Sequence, residues 1–522
     1  MRESGILFPI FSIPSKFGIG SFSREAYEFV DFLEESGQGF WQILPVGPTG
    51  FGNSPYQPFS AFAGNPYFIS LESLIEDGLL TWEEVNAINF GENEESVDYG
   101  AIYEGRPGLM KKACGRFMSK LEEQEKESAG SSGETLAQAY QDFLKKEDFW
   151  IQDYALFMAI KEEQGGRSWL DWEKPLRTRE EKALALAKQR LGKEMKVYFF
   201  EQFAFDYQWN KLRKYANQKN VKIIGDLPFY VSLDSSDAWS HPEVFQMDPD
   251  LIPKVVAGCP PDAFSPTGQR WGNPIYDWDA CKKDHYAWWV QRMKRNYEFY
   301  DVIRIDHFHG FCEYYAIPYE DETAQKGAMK KGPGIDFFQV LKKQLKDVKI
   351  IAEDLGNNTR ENEKLLEDTG FPGMKVLQYG FTSWDSCYVN HRHIQNCVVY
   401  TGTHDNTPTR AWVEEINDGE RDFTRRYINS MNTDFGGLVW DIIREAYRSV
   451  ADLCIVPLQD YLCFGKEARI NTPGAPDGNW QWRLRPNYLS KELSGSIRSL
   501  TEVYSRIPKE IKKEDKKEEI SQ

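Results

Sequence analysis

The sequence predicts an α/β fold with a parallel sheet closed into a (β/α)8 TIM barrel, and three observations carry that prediction. Seven short runs rich in β-branched and other apolar residues recur along the chain. Stretches of helical character lie between several of them. Several of the runs lead into a polar or acidic residue. Continuous apolar runs of four or five residues are the mark of strands buried on both faces, and strand–helix alternation implies a parallel sheet. In a barrel of that kind, functional groups gather where strands pass into the following loops.

In chain order, residues 40–44 lead into Pro45-Val46-Gly47-Pro48, and residues 221–224 into Gly225-Asp226. Residues 302–305 end at Asp306, and residues 348–352 end at Glu353. Residues 374–377 form the fifth run. Residues 398–401 lead to His404-Asp405, and residues 453–456 lead to Gln459-Asp460. Residues 286–296 and 337–346 have helical character between runs. A doubly wound open sheet is the alternative. It calls for a glycine-rich nucleotide turn, and Gly18-Ile19-Gly20 lacks the third glycine and follows no strand.

Residues 78–215 differ from the rest. They are rich in Glu, Lys, Ala and Leu, with helical periodicity at 155–163, 180–191 and 198–216 and a Gly/Ser break at 130–133. No heptad persists, so this is a mainly helical insertion between the first two of the seven runs and not a coiled coil. The expected organisation is a first part of the barrel (1–77), the helical insertion (78–215), the rest of the barrel with substrate loops (216–508) and a charged tail (509–522).

Composition narrows the function. With 63 basic and 80 acidic residues the formal charge is −17, a sign that disfavours nucleic acid and anionic membranes as partners. No apolar run reaches the length of a membrane span, nothing resembles a signal peptide, and the expected location is the cytoplasm. Eight cysteines without a C-x-x-C pair argue against a zinc ribbon and fit buried free thiols. Aromatic residues make up 14% of the chain, which suits a large core and also a cleft lined with flat faces for sugar rings.

Asp306, Glu353 and Asp405 follow three different strands, so a barrel brings them to one mouth although they are far apart in sequence. Cleaving a glycosidic bond requires a carboxylate nucleophile and a carboxylic acid that protonates the leaving oxygen, about 5–5.5 Å apart in retaining enzymes. A third carboxylate can hold sugar hydroxyls and raise a neighbour's pKa. Capping of the next helix is the plain alternative for any one of them. Arg304 lies two residues before Asp306, on the same face of its strand, where it would hold that carboxylate ionised. His404 could donate to a sugar hydroxyl. The pairs His307/His309 and His391/His393 could ligate zinc, but no third ligand at a suitable spacing accompanies them. No G-x-S-x-G elbow is present.

The motifs, taken together, resemble glycoside hydrolase family 77, the 4-α-glucanotransferases of the α-amylase clan. They are residues 5–9 (GILFP), 41–67 (WQILPVGPTGFGNSPYQPFSAFAGNPY), 224–231 (IGDLPFYV), 258–276 (GCPPDAFSPTGQRWGNPIY), 303–310 (IRIDHFHG), 352–356 (AEDLG), 400–407 (YTGTHDNT) and 471–482 (NTPGAPDGNWQW). The resemblance implies Asp306 as nucleophile, Glu353 as acid/base and Asp405 as transition-state stabiliser. It implies that Asp226, Arg304, His307 and His404 hold the sugar at the cleaved bond, that Tyr56 is an aromatic platform, and that Ser54, Gln269, Trp271 and Asn479 make further substrate contacts. A loop at about 260–268 is expected to fold over the cleft and present Phe264. No metal or organic cofactor is implied, and the partners implied are α-1,4-glucans and maltooligosaccharides as donor and acceptor. The chain departs from some relatives at Ala263 and at Thr382-Ser383, and no role is assigned there. An α-amylase-type hydrolase and a glycan-binding protein without catalysis are the alternatives.

Overall fold

The computed structural model describes residues 2–50, 52–127, 136–261, 265–356, 359–475 and 477–508. Twelve strands occur among them: β1 (Glu3–Leu7), β2 (Phe40–Gln42), β3 (Lys222–Leu227), β4 (Val255–Cys259), β5 (Gln269–Pro274), β6 (Val302–Ile305), β7 (Glu313–Pro318), β8 (Ala328–Lys331), β9 (Ile350–Ala352), β10 (Gly373–Val376), β11 (Cys397–Tyr400) and β12 (Leu453–Pro457). Eight of these close a barrel in the order β1-β12-β11-β10-β9-β6-β3-β2, and all of its pairings are parallel. The fold is the (β/α)8 barrel expected from the strand–helix alternation.

All seven apolar runs are barrel strands. The eighth strand is β1, whose Glu-Ser-Gly-Ile-Leu sequence does not read as an apolar run. Because β1 comes first, the long helical segment lies between the second and third barrel strands, not the first and second of the complete set. A second feature absent from the sequence reading is a four-stranded antiparallel sheet, β5-β4-β7-β8. Its strands come from the connections that follow β3 and β6.

The barrel helices bury one face. Helix Phe435–Arg448 buries Leu438, Val439, Ile442, Ile443 and Ala446, and the Asp434 carboxylate caps it by accepting from Gly437 N at 2.7 Å. Burying each of the Leu, Val and Ile side chains contributes about 1.5–3 kcal/mol. The longest helices between β2 and β3 are Tyr99–Glu127, Asp148–Glu163 and Gly192–Gln218. The last of these holds the loop that follows β2. The Gln202 amide bonds both Gly64 N (2.7 Å) and Gly64 O (2.9 Å), and the Gln208 amide bonds both Ser70 N (2.7 Å) and Ser70 O (3.3 Å). A Cβ on Gly64 would lie 2.3 Å from the Phe205 ring, so glycine is required at that close approach.

Four cysteines (Cys114, Cys281, Cys397 and Cys454) are buried free thiols, whereas Cys259, Cys312 and Cys463 are half-buried and Cys387 is exposed. The expectation of burial therefore fails for half of them: Cys259 ends a strand of the antiparallel sheet, and Cys312, Cys387 and Cys463 lie in connecting segments. Among the described residues, no helix is long and apolar enough to cross a membrane.

Candidate active site

The site is assembled at the C-terminal ends of β3, β6, β9 and β11. Asp226 on β3 pairs in register with Arg304 on β6, and both side chains are buried in the barrel mouth. Arg304 Nη1 donates to both Asp226 carboxylate oxygens at 2.7 Å and to Asp306 Oδ1 at 3.2 Å. The Tyr300 ring packs so closely on Gly225 that a Cβ there would lie 2.1 Å from it. The contact holds the strand carrying Asp226 against the β6 side of the barrel.

From Asp226 the network continues around the rim. The Tyr56 hydroxyl donates to Asp226 Oδ2 at 2.8 Å and lies 2.8 Å from His404 Nε2. With the phenolic proton committed to Asp226, His404 Nε2 is the donor to Tyr56 and also approaches Asp405 Oδ1 at 3.3 Å. The Tyr56 and His404 rings stack at 5.3 Å, and Trp480 packs against both. Tyr56 thus stands in the loop after β2 as the wall of the site next to Asp226 and His404.

Glu353 faces this array from β9. Its Oε1 accepts from Leu355 N and its Oε2 from His307 N, each at 2.8 Å. His307 adopts a left-handed conformation (φ 51°, ψ 50°), uncommon for a residue with a side chain, and in that conformation its amide meets Glu353. Asp306, His307 and Glu353 are in this way tied into one turn.

The electrostatics follow from burial and crowding. Desolvation pushes the Asp306 carboxyl well above the ordinary carboxylate range. Arg304 opposes the shift, and Asp226, Glu353 and Asp405 reinforce it. Glu353 is also raised, chiefly by burial, with Arg304 and the two backbone amides opposing. Burial drives His307 down to about 4 and lowers His404 against the pull of Asp405, so both are neutral hydrogen-bonding groups at pH 7. Asp306 keeps 29% of its side chain exposed and Asp405 37%, so both carboxylates open to the cleft.

Of the residues singled out in the sequence, Tyr56, Asp226, Arg304, Asp306, His307, Glu353, His404 and Asp405 are brought together. Trp271 on β5 meets the His307 ring edge-on at 5.2 Å, and Gln269 Oε1 accepts from the Trp271 indole at 3.1 Å. The antiparallel sheet therefore supplies a side wall to the cleft. Ser54 Oγ accepts from Tyr56 N at 3.2 Å, which shapes the turn beneath Tyr56. Asn479 closes its own loop, accepting from Thr472 N at 2.8 Å and donating to Ala475 O at 3.0 Å. Phe264 lies outside the described residues, together with its neighbours 262 and 263.

Two functional positions were missed. Asn471 Nδ2 donates to Asp405 Oδ1 at 2.6 Å, and Arg469 Nη2 donates to Asp405 O at 3.0 Å. Asn471 opens the same NTPGAPDGNWQW motif that contains Asn479, and that motif is the signal that could have found it. Asp460 resembles a fourth rim acid in sequence, but it is fully buried and clamps the loop carrying His404 and Asp405. It accepts from Thr401 Oγ1 (2.5 Å), Thr409 N (2.7 Å) and Thr409 Oγ1 (2.6 Å).

The His391/His393 pair is engaged elsewhere. His393 contacts Ser449 Oγ (2.8 Å) and Tyr388 O (3.0 Å), and His391 contacts the Tyr427 hydroxyl (3.1 Å). Among the described residues no cluster of three or more His, Cys, Asp or Glu could hold a metal ion. What the site offers is a pair of pKa-raised carboxyls, a third carboxylate and neutral imidazoles around one cleft, a set suited to acid-assisted displacement at a sugar carbon.

Residues 8–490 match the family model of glycoside hydrolase 77, described as 4-alpha-glucanotransferase. A 4-alpha-glucanotransferase of Clostridium butyricum is 44% identical over 500 residues, covering 95% of this chain and 99% of that one. One of Thermus thermophilus is 42% identical over 512 residues, covering 97% and 99%. The amylomaltase of Streptococcus agalactiae, solved in complex with acarbose, superposes with a TM-score of 0.92 at 39% identity, covering 97% of this chain and all of that one.

Proposed function

We propose, from the premise that the chain belongs to the 4-alpha-glucanotransferase family of glycoside hydrolase 77, that it moves α-1,4-glucan segments between maltodextrins by a retaining double displacement. Asp306 attacks the anomeric carbon, and Glu353 gives its proton to the leaving glucan oxygen. A covalent glycosyl–Asp306 ester forms as the glycosidic C–O bond breaks. The 4-hydroxyl of a second glucan, deprotonated by Glu353, then displaces Asp306 and restores the α configuration. Asp405 accepts hydrogen bonds from sugar hydroxyls as positive charge develops at the ring, and Arg304 aims Asp306 while holding both carboxylate oxygens of Asp226.

The observation that carries this reading is the continuous array from Asp306 through Arg304, Asp226, Tyr56 and His404 to Asp405, with Glu353 tied to it by the His307 amide. Tyr56, Trp271 and the adjoining aromatic walls favour a sugar acceptor over water. Maltotriose is the deciding substrate. Transfer yields glucose and a ladder of longer maltodextrins, whereas glucose and maltose alone would identify a hydrolase. Asp306→Asn is expected to abolish turnover and keep maltodextrin binding by calorimetry; undiminished activity would remove Asp306 from the nucleophile's role.

A further inference from the structure

The loop that follows β10 leaves two aromatic rings in solvent at the rim of the cleft. Tyr379 is 42% exposed and Trp384 is 68% exposed. An indole with that much open surface is hydrophobic area still available for burial, and such surface marks binding sites. Trp82, at 45%, is the other tryptophan that stands exposed among the described residues, and it is engaged by the Lys16 ammonium 5.5 Å above its ring and by the Phe17 ring at 6.4 Å.

Two features join these rings to the catalytic cleft. The first is placement. β10 stands between β9, which runs into Glu353, and β11, which leads to Asp405. The Tyr379 side chain lies close to that of Asn406, next to Asp405, and within electrostatic reach of both Asp405 and Glu353. The second is a defined loop. Ser386 Oγ donates to Tyr379 O at 3.2 Å and Ser386 N donates to Ser383 O at 3.3 Å, which folds the turn bearing Trp384 back onto Tyr379. The Tyr379 ring also packs edge-on against Tyr388 at 5.6 Å.

We propose that Trp384, together with Tyr379, forms an outer subsite that seats a glucose ring of a long maltodextrin, away from the bond being cleaved. The inference rests on the reading of the cleft as a glucan-transfer site. The planar C–H face of an α-linked glucose matches an exposed indole, and the Ser383 and Asp385 side chains, bonded to each other beside it, offer polar partners for sugar hydroxyls. On this proposal a short oligosaccharide bound at the catalytic carboxylates ends before Trp384. A longer one reaches it.

The test compares kcat/KM for maltoheptaose and maltotriose in the full-length protein. In Trp384→Ala the ratio of the two values is expected to fall about fivefold, the loss of roughly one ring-stacking contact, and Trp384→Phe is expected to restore most of it. An unchanged ratio overturns the subsite, as does an equal loss for both lengths. Failure of the underlying reading looks different: the wild-type protein would then make no ladder from maltotriose at all.

Discussion

At the scale of single residues, the site works through conformations and charges that are costly in isolation. His307 holds a left-handed backbone beside Asp306, and in return its amide aims Glu353. The two raised carboxyls set an expectation for pH. The acid must be protonated, so activity is lost as pH rises through the pKa of Glu353, and raising that pKa carries the alkaline limb upward. The nucleophile must be ionised, so activity is gained as pH rises through the pKa of Asp306, and raising that value carries the acid limb upward as well. The pair titrates as a unit, so the limbs report the two macroscopic values. The kcat/KM profile for maltotriose should therefore be a bell with both limbs above the ordinary carboxylate range near 4. A profile already flat above about pH 4, with no alkaline limb, would contradict this assignment.

At the scale of elements, helix Gly192–Gln218 carries a burden. Glu201 is buried on it, and desolvation, helped by Glu162 and opposed by Lys111 and Arg106, pushes its carboxyl up to about 8. The unfolded chain releases that proton near 4.3. Between those values the folded state binds more protons than the unfolded one, so stability falls as pH rises through the window. Glu201→Gln should remove the penalty, stabilising the protein at about pH 8 by on the order of a few kcal/mol and changing little near pH 4. Thermal unfolding at the two pH values tests it, and an equal shift at both would show that the charge is not the cause. Elements also differ in how legible they were. Seven barrel strands announced themselves because burial on both faces demands continuous apolar residues. β1 was not legible, since its Ser4 and Gly5 carry no apolar signal and only β2 and β12 on either side make it a strand. The antiparallel sheet was hidden for a similar reason. β5 reads Gln-Arg-Trp-Gly-Asn-Pro and all four residues of β8 are exposed, so neither shows a core pattern.

At the scale of the whole molecule, chain ends that are remote in sequence close the barrel. Arg506 is fully buried and donates to Glu3 O (3.0 Å), Tyr447 O (3.0 Å) and Ser449 O (2.8 Å), with Arg2 also donating to the latter two carbonyls. It thereby links the first strand to the connection before the last. Arg506→Ala should cost roughly 3 kcal/mol through lost charge-assisted bonds and a vacated buried volume. A urea midpoint equal to that of the wild type would show that Arg2 alone carries the junction.

The sequence by itself determined the barrel class, because strand burial imposes an apolar pattern, and it placed Asp306, Glu353 and Asp405 at strand-end positions where a barrel must present them to one rim. The family motifs extended that to Tyr56, Asp226, Arg304, His307 and His404, which the fold brings together. Only the tertiary structure decided which polar residues serve the cleft and which serve the scaffold. Asp460 and Asp405 follow apolar runs alike, yet one is buried against threonines and the other opens to the cleft. Asn471 and Asn479 share one motif, yet one holds a rim carboxylate and the other closes its own loop. The physical reason is that a side chain's role depends on its hydrogen-bond partners, and those partners come from strands and loops that only folding makes neighbours.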